Sequence, residues 1–224
     1  MPPSGSDEDV LKTFESGLAA LERVSHSSKE LALEVLIGKV DMLLESLCFI
    51  DWAGDSNDTG AHDVVISVTE FLTVSMAAVS QMPRTAVEGI HFAVCSRICR
   101  NILDFLLGLR DGSPAKIGMV CWLRINKDVR LLEAFADGCG VSQLRLCFKE
   151  LREYAGAMLS PDLLRLAGDP SRRTAAFPAI DPSKLADLLR KTSPMPRGRA
   201  LPPSVPKRDT KESAAIIQLL QSKL

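Results

Sequence analysis

Residues 141–158 read VSQLRLCFKELREYAGAM, and within them Leu144, Cys147, Phe148, Leu151, Ala155 and Met158 recur at steps of three and four. That spacing gathers them on one face of an α-helix, whereas a half-buried strand would need alternation at every second residue. The Lys and Glu residues between them are expected to face water. The same period returns toward the N-terminus, where Leu11, Phe14, Leu18 and Leu21 predict a helix over residues 8–24. Ser27 followed by Glu30 then reads as a capping box that opens a second helix with Leu36, Val40, Leu43 and Leu47 inward. No strand pattern appears, so the fold class is all-α.

Turn-forming residues divide the pattern. Residues 51–60, DWAGDSNDTG, compete with helical hydrogen bonding and predict an exposed loop anchored by Trp52. A helix follows from Asp63 until Met82, Pro83 interrupts it, and residues 84–110 resume an amphipathic pattern, which predicts a tight helical hairpin. Three later helices are expected to open with a capping side chain and then proline: Ser113-Pro114, Ser160-Pro161 and Asp181-Pro182. Residues 193–209 are rich in proline and arginine and poor in large apolar side chains, the composition of a disordered linker. The expected organisation is a disordered stretch 1–7, helical subdomains 8–112 and 113–192, the linker 193–209 and a terminal amphipathic helix 210–224 using Ile216, Leu219 and Leu220.

Lysine and arginine number 27 against 28 acids, a balance that steers toward neither nucleic acid nor an acidic surface. Locally, Arg172, Arg173, Arg190, Lys191, Arg197, Arg199, Lys207 and Arg208 make the last quarter basic and suit a weak contact with anionic lipid headgroups. The six cysteines lie mostly in apolar helical patterns and the opening residues lack a secretory signal, so reduced, buried thiols are expected. The least charged stretch, residues 64–80, contains Glu70 and falls short of the roughly 20 apolar residues of a bilayer span.

Catalytic patterns are missing. His91, Cys95 and Cys99 share a helical face, but the outer two would stand about 12 Å apart along the axis, too far for one ion, and no second ligand pair accompanies them. No glycine-flanked nucleophile or phosphate-cradling loop occurs, and His26, His62 and His91 sit in dissimilar contexts. Neither metal, cofactor nor enzymatic activity is expected. Ser222-Lys223-Leu224 has the form of a peroxisomal import address, an alternative destination, although the same residues also finish an amphipathic helix.

Several segments in order carry a family resemblance: Phe49-Ile50-Asp51-Trp52, then Val68-Thr69-Glu70-Phe71-Leu72, Gln81-Met82-Pro83, Ile125-Asn126-Lys127-Asp128, Leu132-Glu133-Ala134-Phe135-Ala136, and the proline-started helix at Ile180-Asp181-Pro182. The series resembles the C-terminal domain of exocyst component six, the Rab-binding subunit of the exocyst vesicle-tethering complex. The resemblance implies an elongated stack of antiparallel helices that binds a GTP-loaded Rab GTPase and other exocyst subunits, in the cytoplasm at secretory vesicles and the plasma membrane. It also implies that the helix carrying Asn126 belongs to the Rab-contacting surface, and Trp122, Asn126, Val129 and Arg130 share a face there at helical spacing. An exposed amide both donates and accepts, and Trp122 and Val129 would supply an apolar anchor. Two departures stand out. Ser160-Pro161-Asp162 replaces a second Asp-Trp pair, and the family's N-terminal rod has no counterpart, as in a divergent paralogue, a fragment or a scaffold without a Rab partner.

Overall fold

The computed structural model describes residues 6–54, 60–193, 205–206 and 208–222. Among them nine α-helices and two 3-10 turns carry the fold, and the one extended pairing is an isolated parallel bridge between Ile117 and Thr192. The class is all-α.

α1 (Ser6–Leu44) is one unbroken helix, so the Ser27 capping box opens nothing. Inside a helix the backbone amides already have partners four residues back, which leaves a capping side chain no orphan donor to satisfy. Ser28 instead donates its hydroxyl to the Val24 carbonyl at 2.8 Å. In the C-terminal half Leu36, Val40 and Leu44 are buried, as is Leu47 in the 3-10 turn Glu45–Phe49 that follows. Leu43 is half-buried against them. Leu11, Phe14, Leu18 and Leu21 do share one side, but that side faces solvent, with Phe14 70% exposed.

α2 (Asp63–Val79) and α3 (Arg84–Leu107) meet at the Pro83 turn, yet they do not pair along their length as a hairpin. Each packs on α1 instead, and α2 also packs on α4. α3 ends at Gly108, whose φ of 88° is open to glycine and lets the Leu109 amide reach the Asp104 carbonyl at 2.9 Å. Ser113-Pro114 starts no helix. The chain there is drawn out by backbone bonds from Ile117 N–H to Lys191 O (2.8 Å) and from Ser193 N–H to Ile117 O (2.9 Å), and α4 (Met119–Gly138) begins only after Gly118.

The stretch 141–158 splits into a 3-10 turn, Leu144–Phe148, and α5 (Lys149–Leu159), behind Gln143 at a positive φ of 63°. Leu144, Phe148, Leu151, Ala155 and Met158 are buried as their period required, Cys147 half so. Glu153 breaks the expected pattern of water-facing charges. It is buried, and its carboxylate accepts the Ala179 N–H at 2.6 Å. Of the cap-and-proline starts, Asp181 opens α8 (Pro182–Lys191) and accepts the Ser183 N–H, while Ser160-Pro161 lies in the turn before α6 (Leu163–Gly168). α7 (Pro170–Ala176) uses the same device unforeseen, with Asp169 accepting the Arg172 N–H.

Residues 194–204 and 207 of the expected linker lie outside the described residues. Its far end is not solvated: Val205 and Arg208 are buried. α9 (Thr210–Gln221) starts on Asp209, which accepts the Glu212 N–H at 2.7 Å, and packs on α6 and α8 through buried Ile216 and Leu220. One apolar core runs from Leu36 to Leu220 on both sides of residue 112. Each fully buried leucine, isoleucine or phenylalanine in it contributes about 1.5–3 kcal/mol over leaving it exposed.

Candidate interaction surface

α4 carries all four residues singled out for partner binding, and the fold divides them. Trp122 and Val129 are buried in the core, and the Trp122 indole N–H donates to the Thr192 hydroxyl at 3.1 Å. They anchor α4 to the body and leave no apolar anchor for a partner. Asn126 is half-buried and Arg130 exposed. Lys127 and Ala134 are exposed on the same side, with Leu123 half-buried beside them, so residues 123, 127, 130 and 134 form a strip with Asn126 at its edge. The strip runs to a cleft of about 430 Å³, where Ala134 and Phe135 meet Met76 and Ala77 of α2 and Val87 and His91 of α3.

Polar locks on the other sides fix the rotation of α4. Asp128, buried, accepts the His62 backbone N–H at 2.7 Å through Oδ1, and its Oδ2 lies 2.5 Å from His62 Nδ1. His62 N-caps α2 by position, so this pair ties the start of one helix to the middle of another. The His62 ring lies 5.0 Å from Trp52, which stacks in turn near Phe105 at 5.7 Å. Trp52 donates its indole N–H to Leu47 O at 2.9 Å and accepts the Gly118 N–H at 2.7 Å, so the Asp-Trp turn grips the first turn of α4. Arg124 donates to the carbonyls of Gly60 and Ala61. Glu133, buried, receives Arg145 at 2.8 Å and Arg152 at 2.7 Å. Two arginines around one carboxylate offset the loss of its hydration. With positions 122, 124, 128, 129 and 133 committed inward, Asn126, Lys127 and Arg130 are what α4 offers outward.

His62 was weighed only as a catalytic histidine, and Asp128 stood only inside a quoted motif. Their pairing was not foreseen, because they stand 66 positions apart. Glu133 lies inside a quoted motif, but burial of a glutamate has no periodic signature.

The His91 face is structural in its contacts: buried His91 donates Nδ1–H to Val87 O at 2.7 Å. Burial pushes the Cys95 thiol far up and the Cys99 and Cys121 thiols up to about 11, so these sulfurs stay protonated. Among the described residues no three His, Cys, Asp or Glu side chains gather to hold a metal ion. The cysteines are not all buried, because Cys48 is exposed.

Part of the basic last quarter turns inward. Arg173 is buried and donates to Ala167 O, and Arg208 is buried with donors to the carbonyls of Met158, Ala157 and Ser160. Lys191 donates to Leu106 O, and Arg172 and Arg190 pair with Asp169 and Asp187. Arg173 and Arg208 are thus committed to the fold, whereas Arg172 and Arg190 stay exposed beside their carboxylates; Arg197, Arg199 and Lys207 lie outside the described residues. Ser222 is exposed at the end of α9 with its hydroxyl on Leu219 O, and Lys223 and Leu224 also lie outside the described residues. No helix among the described residues is long and apolar enough to cross a membrane.

The chain is similar to exocyst complex component 6B of mouse and of human, each 22% identical over 189 residues. The similarity covers 82% of this chain but only 23% of those relatives, so the chain spans about a quarter of their length. No solved structure matches it. Residues 15–191, from the third turn of α1 to the end of α8, match the family described as exocyst complex subunit Sec15, C-terminal, and the chain belongs to that family.

Proposed function

We propose that this chain is a non-enzymatic docking module of the exocyst, which binds a Rab GTPase in its GTP form through the outer strip of α4 and joins other exocyst subunits to tether secretory vesicles at the plasma membrane. The observation that carries the reading is the pairing of family membership over residues 15–191 with an α4 whose Asn126, Lys127 and Arg130 face outward from a locked helix. The locks matter because a preorganised surface spends little of its contact energy on ordering itself. Asn126 supplies a donor and an acceptor from one amide, and Arg130 a planar fork for a carboxylate or carbonyls. The nucleotide belongs to the partner, and the chain needs no cofactor of its own.

The test is a pull-down of the whole chain against a panel of Rab GTPases loaded with a non-hydrolysable GTP analogue or with GDP. GTP-selective capture by the wild type is expected, with about tenfold weaker binding for Asn126→Ala and for Arg130→Glu. Both positions face outward, so the variants should keep the wild-type circular dichroism. Equal capture of both nucleotide states, or variants that bind as the wild type does, would overturn the reading.

A further inference from the structure

α9 is held differently from the other helices. The family match ends at residue 191, and α9 lies beyond it, joined to α8 through residues 192–208. Its ends satisfy themselves: Asp209 accepts the Glu212 N–H at the start, and the Ser222 N–H returns to Gln218 O at 2.9 Å at the finish. Lys211, Ala214, Gln218 and Gln221 are exposed. Ile216 and Leu220, four residues apart, are fully buried, with Ile217 and Leu219 half-buried beside them. That is the pattern of an amphipathic helix laid into a groove, and α6 and α8 form the groove.

The second hold is a single arginine. Arg208, just before the cap, is 8% exposed. It donates to Met158 O at 2.8 Å, to Ala157 O at 3.3 Å and to Ser160 O, the carbonyls left over where α5 ends. Its Nε has no partner, and Glu212 acts on it through space without forming an ion pair. Burial draws its pKa below the ordinary arginine value. The docked state thus keeps a cation out of water with one donor unsatisfied, and both features cost stability. Release relieves both: the guanidinium regains its hydration, and the α5 carbonyls lie beside exposed Pro161 and Asp162, within reach of water. A 12-residue helix is too short to persist alone in water, so leaving the groove and unfolding are one step.

We infer that the groove on α6 and α8 is a docking site for an amphipathic helix, with α9 as its resident occupant and a reversible strap. It yields the groove to a partner helix of the same pattern: an arginine, an acidic cap, then isoleucine and leucine four residues apart. An occupant on a tether competes at an effective concentration of about 1 mM. The strap therefore reserves the groove for partners already held close by other contacts.

The experiment uses the full chain with a protease site inserted between Ser193 and Val205, and a fluorescent peptide of residues 205–222 as the probe. After cutting, the body should keep its helical circular dichroism, and excess peptide should replace the resident α9, as read by anisotropy. The uncut chain should bind the peptide about 100-fold more weakly, because the tethered strap outcompetes it. Peptides with Arg208→Ala, which leaves three α5 carbonyls covered without a donor, or with Leu220→Glu should bind at least about tenfold more weakly. In the uncut chain the amides of residues 213–221 should exchange with deuterium at least about tenfold faster than those of α8. A body that unfolds on cutting, or a resident α9 that never exchanges, would make α9 a fixed part of the core and overturn the inference. Equal binding by cut and uncut chains, variant peptides that bind as the wild type does, or α9 amides as protected as those of α8 would overturn it too.

Discussion

Replacing Asp128 with alanine tests whether α4 is held by the lock described above. The carboxylate is the acceptor for two groups of His62, the backbone amide at 2.7 Å and the ring at 2.5 Å, and both residues are less than 5% exposed. Alanine leaves both groups without a partner in a site that admits little water. Each buried unsatisfied group costs about 1–3 kcal/mol, and the bonds lost are to a charged acceptor, so about 3–5 kcal/mol is expected. At about 2–4 °C per kcal/mol for a chain of this size, the melting temperature should fall by about 6–20 °C. Urea unfolding followed by circular dichroism gives the free energy, and His62→Ala with the double variant closes a thermodynamic cycle. If the pair acts as a unit, the double variant should cost far less than the sum of the singles. A loss below about 1 kcal/mol for Asp128→Ala, or strictly additive singles, would refute the lock.

Two further outcomes follow from buried or paired charges. Arg208→Ala should cost about 2–3 kcal/mol, because its guanidinium serves the carbonyls of Ala157, Met158 and Ser160 where α5 has run out of its own amides. Trypsin should then cleave near the start of α9 faster than in the wild type, and an unchanged digestion rate would contradict the assignment. Arg97 beside Asp41, hydrogen-bonded at 3.1 and 2.7 Å, holds that carboxyl below the ordinary aspartate value of 3.8. A depressed carboxyl contributes stability that is complete above 3.8 and disappears as pH falls through its lower folded value. Asp41→Asn should therefore lower the melting temperature at neutral pH and flatten its dependence below pH 4, and parallel curves for the two proteins would exclude the linkage.

Periodicity made the helices legible and left their orientation open. Leu144 to Met158 were placed on one face and are indeed buried, because α3 and α4 pack against that face. Leu11 to Leu21 obey the same spacing and are exposed, because no element of the described fold reaches the first half of α1. Trp122 and Val129 show the converse: their face was right, but it is the inward one. Spacing gives angles between side chains of a single helix, and what covers a face is a long-range fact. The capping signals divide in the same way. Asp181 and Asp209 start helices because they are themselves extended, whereas the Ser27 box sits where α1 was already helical on both sides. Ser113-Pro114 failed to start a helix through a contact 70 or more residues away, the pairing of Ile117 with the end of α8.

Many polar side chains of the fold, buried or partly so, share one task that bears on function. Arg208, Lys191, Arg173 and Arg124 all end on backbone carbonyls at helix ends or in turns, and Asp128, Glu153, Asp169 and Asp181 all take backbone amides at such places. In a fold of short helices, orphan groups at their ends are numerous, and side chains that satisfy them are drawn away from the surface. Such recruitment spends much of the charge that composition alone would assign to partners or lipids. It leaves outward the strip of α4, where the helix runs long enough to need no capping along its middle. Because residues 10–28 of α1 are exposed and outside the core, substitutions there should not alter binding at the α4 strip. A variant within residues 10–28 that abolished binding at the α4 strip would mean that the two regions act as one.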